Sequence, residues 1–212
     1  MPDRGRRKAE RIRTFVAIEL PENVKRRLVR AQEELDGADL GIRWSRPETM
    51  HLTLKFLGDV AASDISEVAA ACSRAASATG RGRPRVVLDQ FVLFPDSHRP
   101  QVVAASVTVG EALAGLQAAV EGELAKAGFP AERRGYRPHI TVGRVKARGR
   151  GKKEKLRHAR GALNVVWAKV SPVLQGMELG HFTADEIVVF QSELRKGGAV
   201  HTPLARMELA GG

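Results

Sequence analysis

HLTLKFLG at residues 51–58 and HITVGRV at residues 139–145 are two segments of this 212-residue chain that share one pattern. Each begins with a His-x-Thr-x tetrapeptide in which the histidine and the threonine alternate with aliphatic residues. Because side chains i and i+2 of a strand point to the same face, the pattern predicts two strands. On each strand the histidine and the threonine project together, and the aliphatic residues between them face the core.

An internal repeat places the two segments in equivalent positions. His139 follows His51 by 88 residues (139 − 51), and the same shift moves the apolar segment TFVAI at residues 14–18 onto VVAAS at residues 102–106. Continuous apolar segments of this length are typical of buried strands. Each His-x-Thr-x strand is therefore preceded, at the same distance, by a second predicted strand.

Predicted helices also correspond under this shift. A helix predicted to begin near Glu22 falls on one predicted to begin at Glu111. Both halves therefore run strand, helix, loop and His-x-Thr-x strand, approximately over residues 13–60 and 101–148. We expect two similar lobes related by an approximate two-fold axis, each contributing one His-x-Thr pair. The remaining predicted elements are a helix over residues 63–79, strands over residues 86–94, 165–170 and 186–190, and an exposed basic loop over residues 146–160.

A third His-x-Thr-x copy, HFTA at residues 181–184, lacks this context. It runs into Asp185 and Glu186, does not lie within an alternating apolar strand, and has no partner at the repeat offset. We interpret His181 as a loop residue or the first residue of a strand, outside any site. The position in the repeat, and not the tetrapeptide, supports the prediction.

The composition favours a globular domain with a polyanionic partner. The formal net charge is +11, and 43% of the residues are hydrophobic. Such charge favours nucleic acid or an acidic membrane surface as partner. No apolar run approaches the ~20 residues of a membrane span, and no signal peptide is evident. We therefore expect a cytoplasmic protein with a basic, flexible extension at residues 1–12 and one bilobal domain at residues 13–210.

Two imidazoles and two hydroxyls facing each other across a cleft suit the hydrolysis of a cyclic phosphodiester. A neutral imidazole takes a proton from the attacking water, and a protonated one gives a proton to the departing ribose oxygen. Threonine hydroxyls can hold the non-bridging oxygens. A pair of structural histidines and a zinc site are the alternatives, but Asp59 and Glu48, the acids near His51, do not recur in the second half. We predict no metal and no cofactor.

Four segments resemble one family of proteins. RTFVAIELP at residues 13–21, RWSRPETMHLTLKFLGDV at 43–60, YRPHITVGRV at 136–145 and FTADEIVVFQSEL at 182–194 are similar to the RNA 2′,3′-cyclic phosphodiesterases. These proteins are also called the 2′-5′ RNA ligase family and belong to the two-histidine phosphoesterase superfamily. The resemblance spans about residues 13–195. It implies a bilobal α+β fold with antiparallel sheets around a central cleft.

The resemblance also implies roles for site residues. His51 would be the proton donor and His139 the proton acceptor, an assignment that the residues alone leave open, while Thr53 and Thr141 would contact the phosphate. The family pattern has an arginine three residues after the second threonine, which here is Arg144.

Alternatives remain open for Arg144, for Phe15 and for the basic segment 146–160. Strict alternation would turn Arg144 away from His139, so a β-bulge or a strand end is needed to bring it to the phosphate. Phe15, an aromatic residue in the first strand, would either contact a base or be a core residue. The basic segment 146–160 would either widen the path for RNA or be a solvated loop.

The expected reaction is metal-independent hydrolysis of RNA 2′,3′-cyclic phosphate ends to 2′-phosphomonoesters, possible in reverse as 2′-5′ ligation. The alternatives are action on small cyclic nucleotides, such as a cyclic phosphate of ADP-ribose, and a non-catalytic module that binds RNA ends. The expected partners are RNA ends or cyclic nucleotides. We expect no membrane and no protein partner, and a monomer.

Overall fold

The structure, a computed structural model, describes residues 10–36, 42–78, 82–94, 101–145, 167–168 and 177–211. In these residues the strands and α-helices follow in the order β1 (Arg11–Glu19), α1 (Glu22–Asp36), β2 (Ile42–Trp44), β3 (His51–Ala61), α2 (Ile65–Ser77), β4 (Arg85–Phe94), β5 (Val102–Thr108), α3 (Glu111–Lys126), β6 (His139–Val145), β7 (His181–Thr183), β8 (Glu186–Arg195) and β9 (Gly198–Glu208).

The strands form two antiparallel sheets. The first sheet has the order β3-β1-β8-β9, and the second has the order β2-β6-β5-β4-β7. We call the first sheet with the helices that cover it the first lobe, and the second sheet with its helix the second lobe. This α+β architecture of two lobes confirms the predicted fold class. The first lobe combines strands from both ends of the chain, since β8 and β9 complete the sheet that β1 and β3 begin.

The helices exchange lobes and join the two sheets through one core. Helix α1 follows β1 of the first lobe but packs against β6 of the second, burying Val24, Leu28 and Leu35 at helical spacing. Helix α3 follows β5 of the second lobe but contacts β3 of the first, and α2 packs on α3, β8 and β9. Most buried aliphatic residues of both lobes therefore belong to one continuous cluster, while Phe15, Ala17, Val188 and Phe190 form a second, smaller one.

The two His-x-Thr-x strands repeat each other down to the pairing register. Thr53 lies opposite Ala17 of β1, and Thr141 lies opposite Ala104 of β5. One residue later both strands carry a register shift, at Leu54 in β3 and Val142 in β6. The aliphatic residues of both tetrapeptides are buried, as predicted. A β-bulge lets the residues beyond it change face. Arg144 needs such a change of face in order to lie on the same side of β6 as His139.

Several predictions need correction. Trp167 and Ala168, the two described residues of the strand predicted over 165–170, are helical. The strand β1 begins at Arg11, so the last two residues of the predicted extension 1–12 are paired in a sheet. The basic segment 146–160 lies outside the described residues.

The sequence did not predict β2 or β9, whereas His181 is the first residue of β7, in agreement with one of its two interpretations. Strand β9 contains Pro203 at a register shift and lies at a sheet edge, where proline is tolerated although it breaks a strand pattern. No described helix is both long and apolar enough to cross a membrane.

Candidate active site

A cleft with a volume of about 800 Å³ lies between the two lobes. Both His-x-Thr pairs open into it, one from β3 of the first lobe and one from β6 of the second. The structure thus brings together all the residues of the predicted site, namely Phe15, His51, Thr53, His139, Thr141 and Arg144. His181, in contrast, is an exposed residue at the start of the short edge strand β7 and does not line the cleft.

Both imidazoles are oriented by the same backbone contact. Nδ1 of His51 lies 2.9 Å from the carbonyl oxygen of Thr49, and Nδ1 of His139 lies 2.8 Å from that of Arg137. A carbonyl oxygen only accepts hydrogen bonds, so each Nδ1 carries a proton and donates it. Nε2 is then the nitrogen of each ring that can take a proton when the ring is neutral or give one when it is charged.

Each catalytic candidate also stacks on a phenylalanine ring. The Phe15 and His51 centroids are 4.7 Å apart, and those of Phe94 and His139 are 4.3 Å apart. Phe15 is only 3% exposed and stacks in turn on Phe190. Its contacts therefore fit the core alternative better than contact with a base. In the second lobe Phe94 supports His139 as Phe15 supports His51, but no motif in the sequence indicated Phe94.

Electrostatics distinguish His51 from an ordinary histidine. Burial, as the largest cause, and the nearby charge of His201 lower the pKa of His51 to about 4. The hydrogen bond to Thr49 opposes this effect, while Arg144 and His139 add smaller depressions of the pKa. His51 is consequently neutral at pH 7 in the free site.

His201 is a third histidine at the cleft that the sequence did not reveal. Its ring lies edge-on to His51, with 5.1 Å between the centroids, and burial lowers its pKa. Its Nδ1 is buried without a hydrogen-bond partner among the described residues. The residue comes from β9, which carries no motif, so only the pairing of β9 with β8 brings it to the site.

Thr53 and Thr141 offer free hydroxyls to the cleft. Within the part of the chain that the structure describes, neither hydroxyl has a hydrogen-bond partner, whereas the backbone carbonyl of Thr53 accepts a hydrogen bond from Tyr136. An anion in the cleft could therefore receive hydrogen bonds from both hydroxyls.

The cleft is strongly cationic. Arg144 of β6 lies directly opposite Arg43 of β2, and in the described chain neither forms an ion pair. Like charges in opposite positions of a sheet repel each other; partial burial and the charge of Arg43 both lower the pKa of Arg144. A bound anion would relieve this repulsion. Among the described residues, five arginines line the cleft, namely Arg13, Arg43, Arg46, Arg134 and Arg144.

No group of three or more potential metal-ligating side chains (His, Cys, Asp or Glu) occurs among the described residues. The functional groups that line the cleft are imidazoles, hydroxyls and guanidinium groups. Two lobes that each contribute one His-x-Thr pair to a shared cationic cleft define a two-histidine phosphoesterase.

Comparison with known proteins agrees with this class. The model of the family described as LigT-like phosphoesterase matches residues 18–104 and 103–201. An RNA 2′,3′-cyclic phosphodiesterase of Methanothermobacter thermautotrophicus is 31% identical over 196 residues, which cover 92% of this chain and 97% of the relative. The chain therefore belongs to the LigT-like phosphoesterase family.

Solved structures share the fold over nearly the whole chain. A crystal structure of a Thermus thermophilus protein superposes with a TM-score of 0.70 at 29% identity, covering 94% of this chain and 99% of that one. Escherichia coli LigT in complex with 3′-AMP superposes with a TM-score of 0.68 at 22% identity, covering 94% and 99%. At this low sequence identity, the similarity to LigT concerns the fold alone.

Proposed function

We propose that this protein hydrolyses 2′,3′-cyclic phosphate ends of RNA to 2′-phosphomonoesters by acid–base catalysis with two histidines. The observation that supports this most is the pair of equivalent imidazoles, each fixed through Nδ1 to a backbone carbonyl and each with Nε2 available to the cationic cleft. The relative from Methanothermobacter thermautotrophicus, named as an RNA 2′,3′-cyclic phosphodiesterase, matches along almost the whole chain.

In the proposed reaction, Nε2 of His139 takes a proton from a water molecule as the water oxygen bonds to phosphorus. The bond between phosphorus and the ribose 3′ oxygen breaks, and His51 gives that oxygen a proton. Thr53, Thr141 and Arg144 hold the non-bridging oxygens and stabilise their charge. The 2′ ester bond remains, so the product is a 2′-phosphomonoester with a 3′ hydroxyl.

The donor role of His51 requires that it gain a proton when the substrate binds. Its pKa of about 4 leaves it neutral in the free site, but the negative charge of a bound phosphodiester raises the pKa of a nearby imidazole. The opposite assignment, with His51 as base and His139 as acid, uses the same geometry. Because the two assignments predict the same bell-shaped pH profile, a modified substrate is needed to distinguish the acid from the base.

A cyclic phosphate with sulfur in place of the 3′ oxygen makes this distinction. A thiolate leaves without protonation, so the acid becomes dispensable while the base remains necessary. If His51 is the acid, the variant His51→Ala should regain much of its lost rate on the sulfur substrate and His139→Ala should not. Rescue of His139→Ala alone would reverse the assignment. Rescue of neither would show that leaving-group protonation does not limit the rate.

The substrate class is tested with an oligonucleotide that ends in a 2′,3′-cyclic phosphate. The purified protein should convert it to the 2′-phosphate, which chromatography separates from the 3′-phosphate. Parallel reactions with a cyclic mononucleotide and with a cyclic phosphate of ADP-ribose compare RNA with small nucleotides. A higher kcat/KM on either small substrate than on the oligonucleotide would show that small nucleotides, and not RNA ends, are the substrate class. An added 5′-hydroxyl oligonucleotide shows whether the reverse reaction forms 2′-5′ bonds.

A binding module without turnover is the remaining alternative. His139→Ala separates the two, because an enzyme should lose turnover but still bind the cyclic end through Arg144 and the hydroxyls. We also propose that residues 13–210 act as a single domain, since the cleft draws on strands from β1 to β9. A chain that lacks residues 1–9, and so keeps the paired residues Arg11 and Ile12 of β1, should then retain its turnover of the cyclic mononucleotide.

A further inference from the structure

His201 is a third imidazole at the cleft that the proposed reaction does not use. It lies on β9 and His51 lies on β3, which are the two edge strands of the first sheet. Neighbouring strands lie about 4.8 Å apart, so a flat sheet would separate these two backbones by about 14 Å. The ring centroids are only 5.1 Å apart. The two side chains therefore lean towards each other across the strands between them.

Two phenyl rings on the intervening strands support this approach. Phe15 of β1 and Phe190 of β8 lie directly opposite each other, with 5.3 Å between their centroids. His51 stacks on Phe15, and His201 meets the same ring edge-on at a centroid distance of 5.0 Å. Both phenyl rings are buried and both imidazoles line the cleft. Packing thus places His201 where it can reach a ligand that contacts His51.

The two ring nitrogens of His201 have different surroundings. Nδ1 is buried without a hydrogen-bond partner among the described residues, whereas Nε2 is accessible and also has no partner there. A charged imidazole carries a proton on both nitrogens, so protonation would leave a buried N–H group unpaired. Burial accordingly lowers the pKa of His201. His201 is therefore neutral at pH 7 in the free site.

The single proton of this neutral ring belongs on Nε2. A buried N–H group without a partner is rarer in proteins than a buried acceptor without one, so Nδ1 carries the lone pair and Nε2 carries the proton. His51 and His139 have the opposite arrangement, because each donates from Nδ1 to a backbone carbonyl. Nε2 of His201 consequently offers the cleft a hydrogen-bond donor and has no lone pair with which to accept a proton.

The internal repeat shows that the first lobe lacks one donor that the second lobe has. Arg144, which lines the cleft, lies five residues after His139. The residue five positions after His51 is Phe56, whose side chain cannot donate a hydrogen bond. The repeat thus gives the second lobe a donor beyond its His-x-Thr pair and leaves the first lobe without the counterpart.

We propose that His201 supplies this donor and binds a non-bridging oxygen of the phosphate group through Nε2–H, an inference that rests on the proposed function. In this role His201 is a phosphate-binding residue, and the transfer of protons belongs to His51 and His139. Its N–H group stabilises the negative charge that develops on the phosphate oxygens as the water oxygen bonds to phosphorus.

The test compares two replacements that both abolish the titration of His201. His201→Phe keeps a flat ring against Phe15 but has no donor, whereas His201→Gln places an amide N–H at the reach of the imidazole Nε2. A hydrogen bond to a charged group is worth roughly 10- to 150-fold in affinity. On a 2′,3′-cyclic mononucleotide at pH 7, His201→Phe should therefore lower kcat/KM at least about 10-fold and His201→Gln less than about 3-fold.

His181→Phe is the matched control, because it makes the same change outside the cleft and should leave kcat/KM unchanged. Both replacements of His201 remove any charge that it could place beside His51, so their comparison isolates the hydrogen bond. Equal losses with His201→Phe and His201→Gln would show that a donor at this position does not suffice. No loss with His201→Phe would show that His201 does not bind the phosphate. Either result would overturn the proposal while leaving the cyclic phosphodiesterase function intact.

Two measurements without turnover test His201 separately from the proposed function. Nitrogen chemical shifts of the imidazole rings in the free protein should place the proton of His201 on Nε2 and those of His51 and His139 on Nδ1. Calorimetry with inorganic phosphate should show at least about 10-fold weaker binding for His201→Phe and nearly full affinity for His201→Gln.

The outcomes of these measurements distinguish the two proposals. If the wild type turns over no cyclic phosphate but gives both expected results, the proposed function is wrong and the phosphate contact of His201 stands. A proton on Nδ1 of His201, or equal phosphate affinity in the wild type and in His201→Phe, would overturn that contact.

Discussion

The depressed pKa of His51 predicts that this residue costs the protein stability in acid. A histidine in an unfolded chain has a pKa of about 6.5, whereas His51 in the folded protein has one of about 4. Between these values only the unfolded chain takes up the proton, so the free energy of unfolding falls as the pH falls. Above 6.5 and below 4 the two states bind the same number of protons at this residue, and its effect is constant.

The expected magnitude follows from the difference of about 2.5 between the two pKa values. Each unit corresponds to about 1.4 kcal/mol, so the loss between pH 7 and pH 4 is at most about 3 kcal/mol. Burial contributes most of the depression and the charge of His201 contributes next. Replacing His201 with Gln should therefore raise the pKa of His51 only in part, without returning it to 6.5.

The measurement compares urea unfolding of the wild type and of His51→Asn at pH 7 and at pH 4. The Asn amide can still donate a hydrogen bond to the carbonyl of Thr49, but it does not titrate. Contributions of other acids and bases largely cancel in the comparison because both proteins contain them. The wild type should lose up to about 3 kcal/mol more than the variant. Equal losses, or an NMR titration of His51 with a midpoint near 6.5, would refute the reasoning.

Two further predictions concern the scaffold behind the site. Lys55 is buried, with its ammonium group bonded to Glu121 and to the backbone, so Lys55→Met should strand the carboxylate and lower the free energy of unfolding by about 3 kcal/mol in a urea titration. Arg74→Met, which removes the ion pairs of an exposed arginine with Glu67 and Glu123, should cost less than about 1 kcal/mol. Similar losses of stability in the two variants would contradict a special role for the buried Lys55–Glu121 pair. At Gly143 a Cβ would lie 2.6 Å from Ile42 Cγ2, so Gly143→Ala should cost about 1–3 kcal/mol and weaken the binding of inorganic phosphate. Unchanged phosphate affinity would show that the bulge does not position the arginine.

Much of the fold could be predicted because the repeat appears twice in the sequence. The alternation around His51 and His139 gave both strands, and the shared offset placed the two histidines in matching lobes. The need for a bulge or a strand end before Arg144 followed from the alternation together with the phosphate contact that the family resemblance implies for this arginine. The structure adds that the bulge is repeated in β3, and that repetition is what turns Phe56 toward the cleft.

Residues that reach the site through long-range pairing could not be predicted. His201 lies on β9, whose sequence lacks both apolar alternation and a motif, and only its register with β8 brings it beside His51. Phe94 is one of several apolar residues in β4, and nothing local marks the one that stacks on His139. The exchange of helices between lobes is likewise a property of packing and leaves no local pattern.

The most direct test of the central claim compares three histidine variants in the presence of EDTA. The position of His51 and His139 in the repeat, and not the His-x-Thr-x tetrapeptide itself, should decide catalysis. The wild type should hydrolyse an oligonucleotide that ends in a 2′,3′-cyclic phosphate without metal. His51→Ala and His139→Ala should each lower kcat by roughly 10²- to 10⁴-fold, while His181→Ala should leave it unchanged. Turnover that needs a metal, or an equal loss with His181→Ala, would contradict the account.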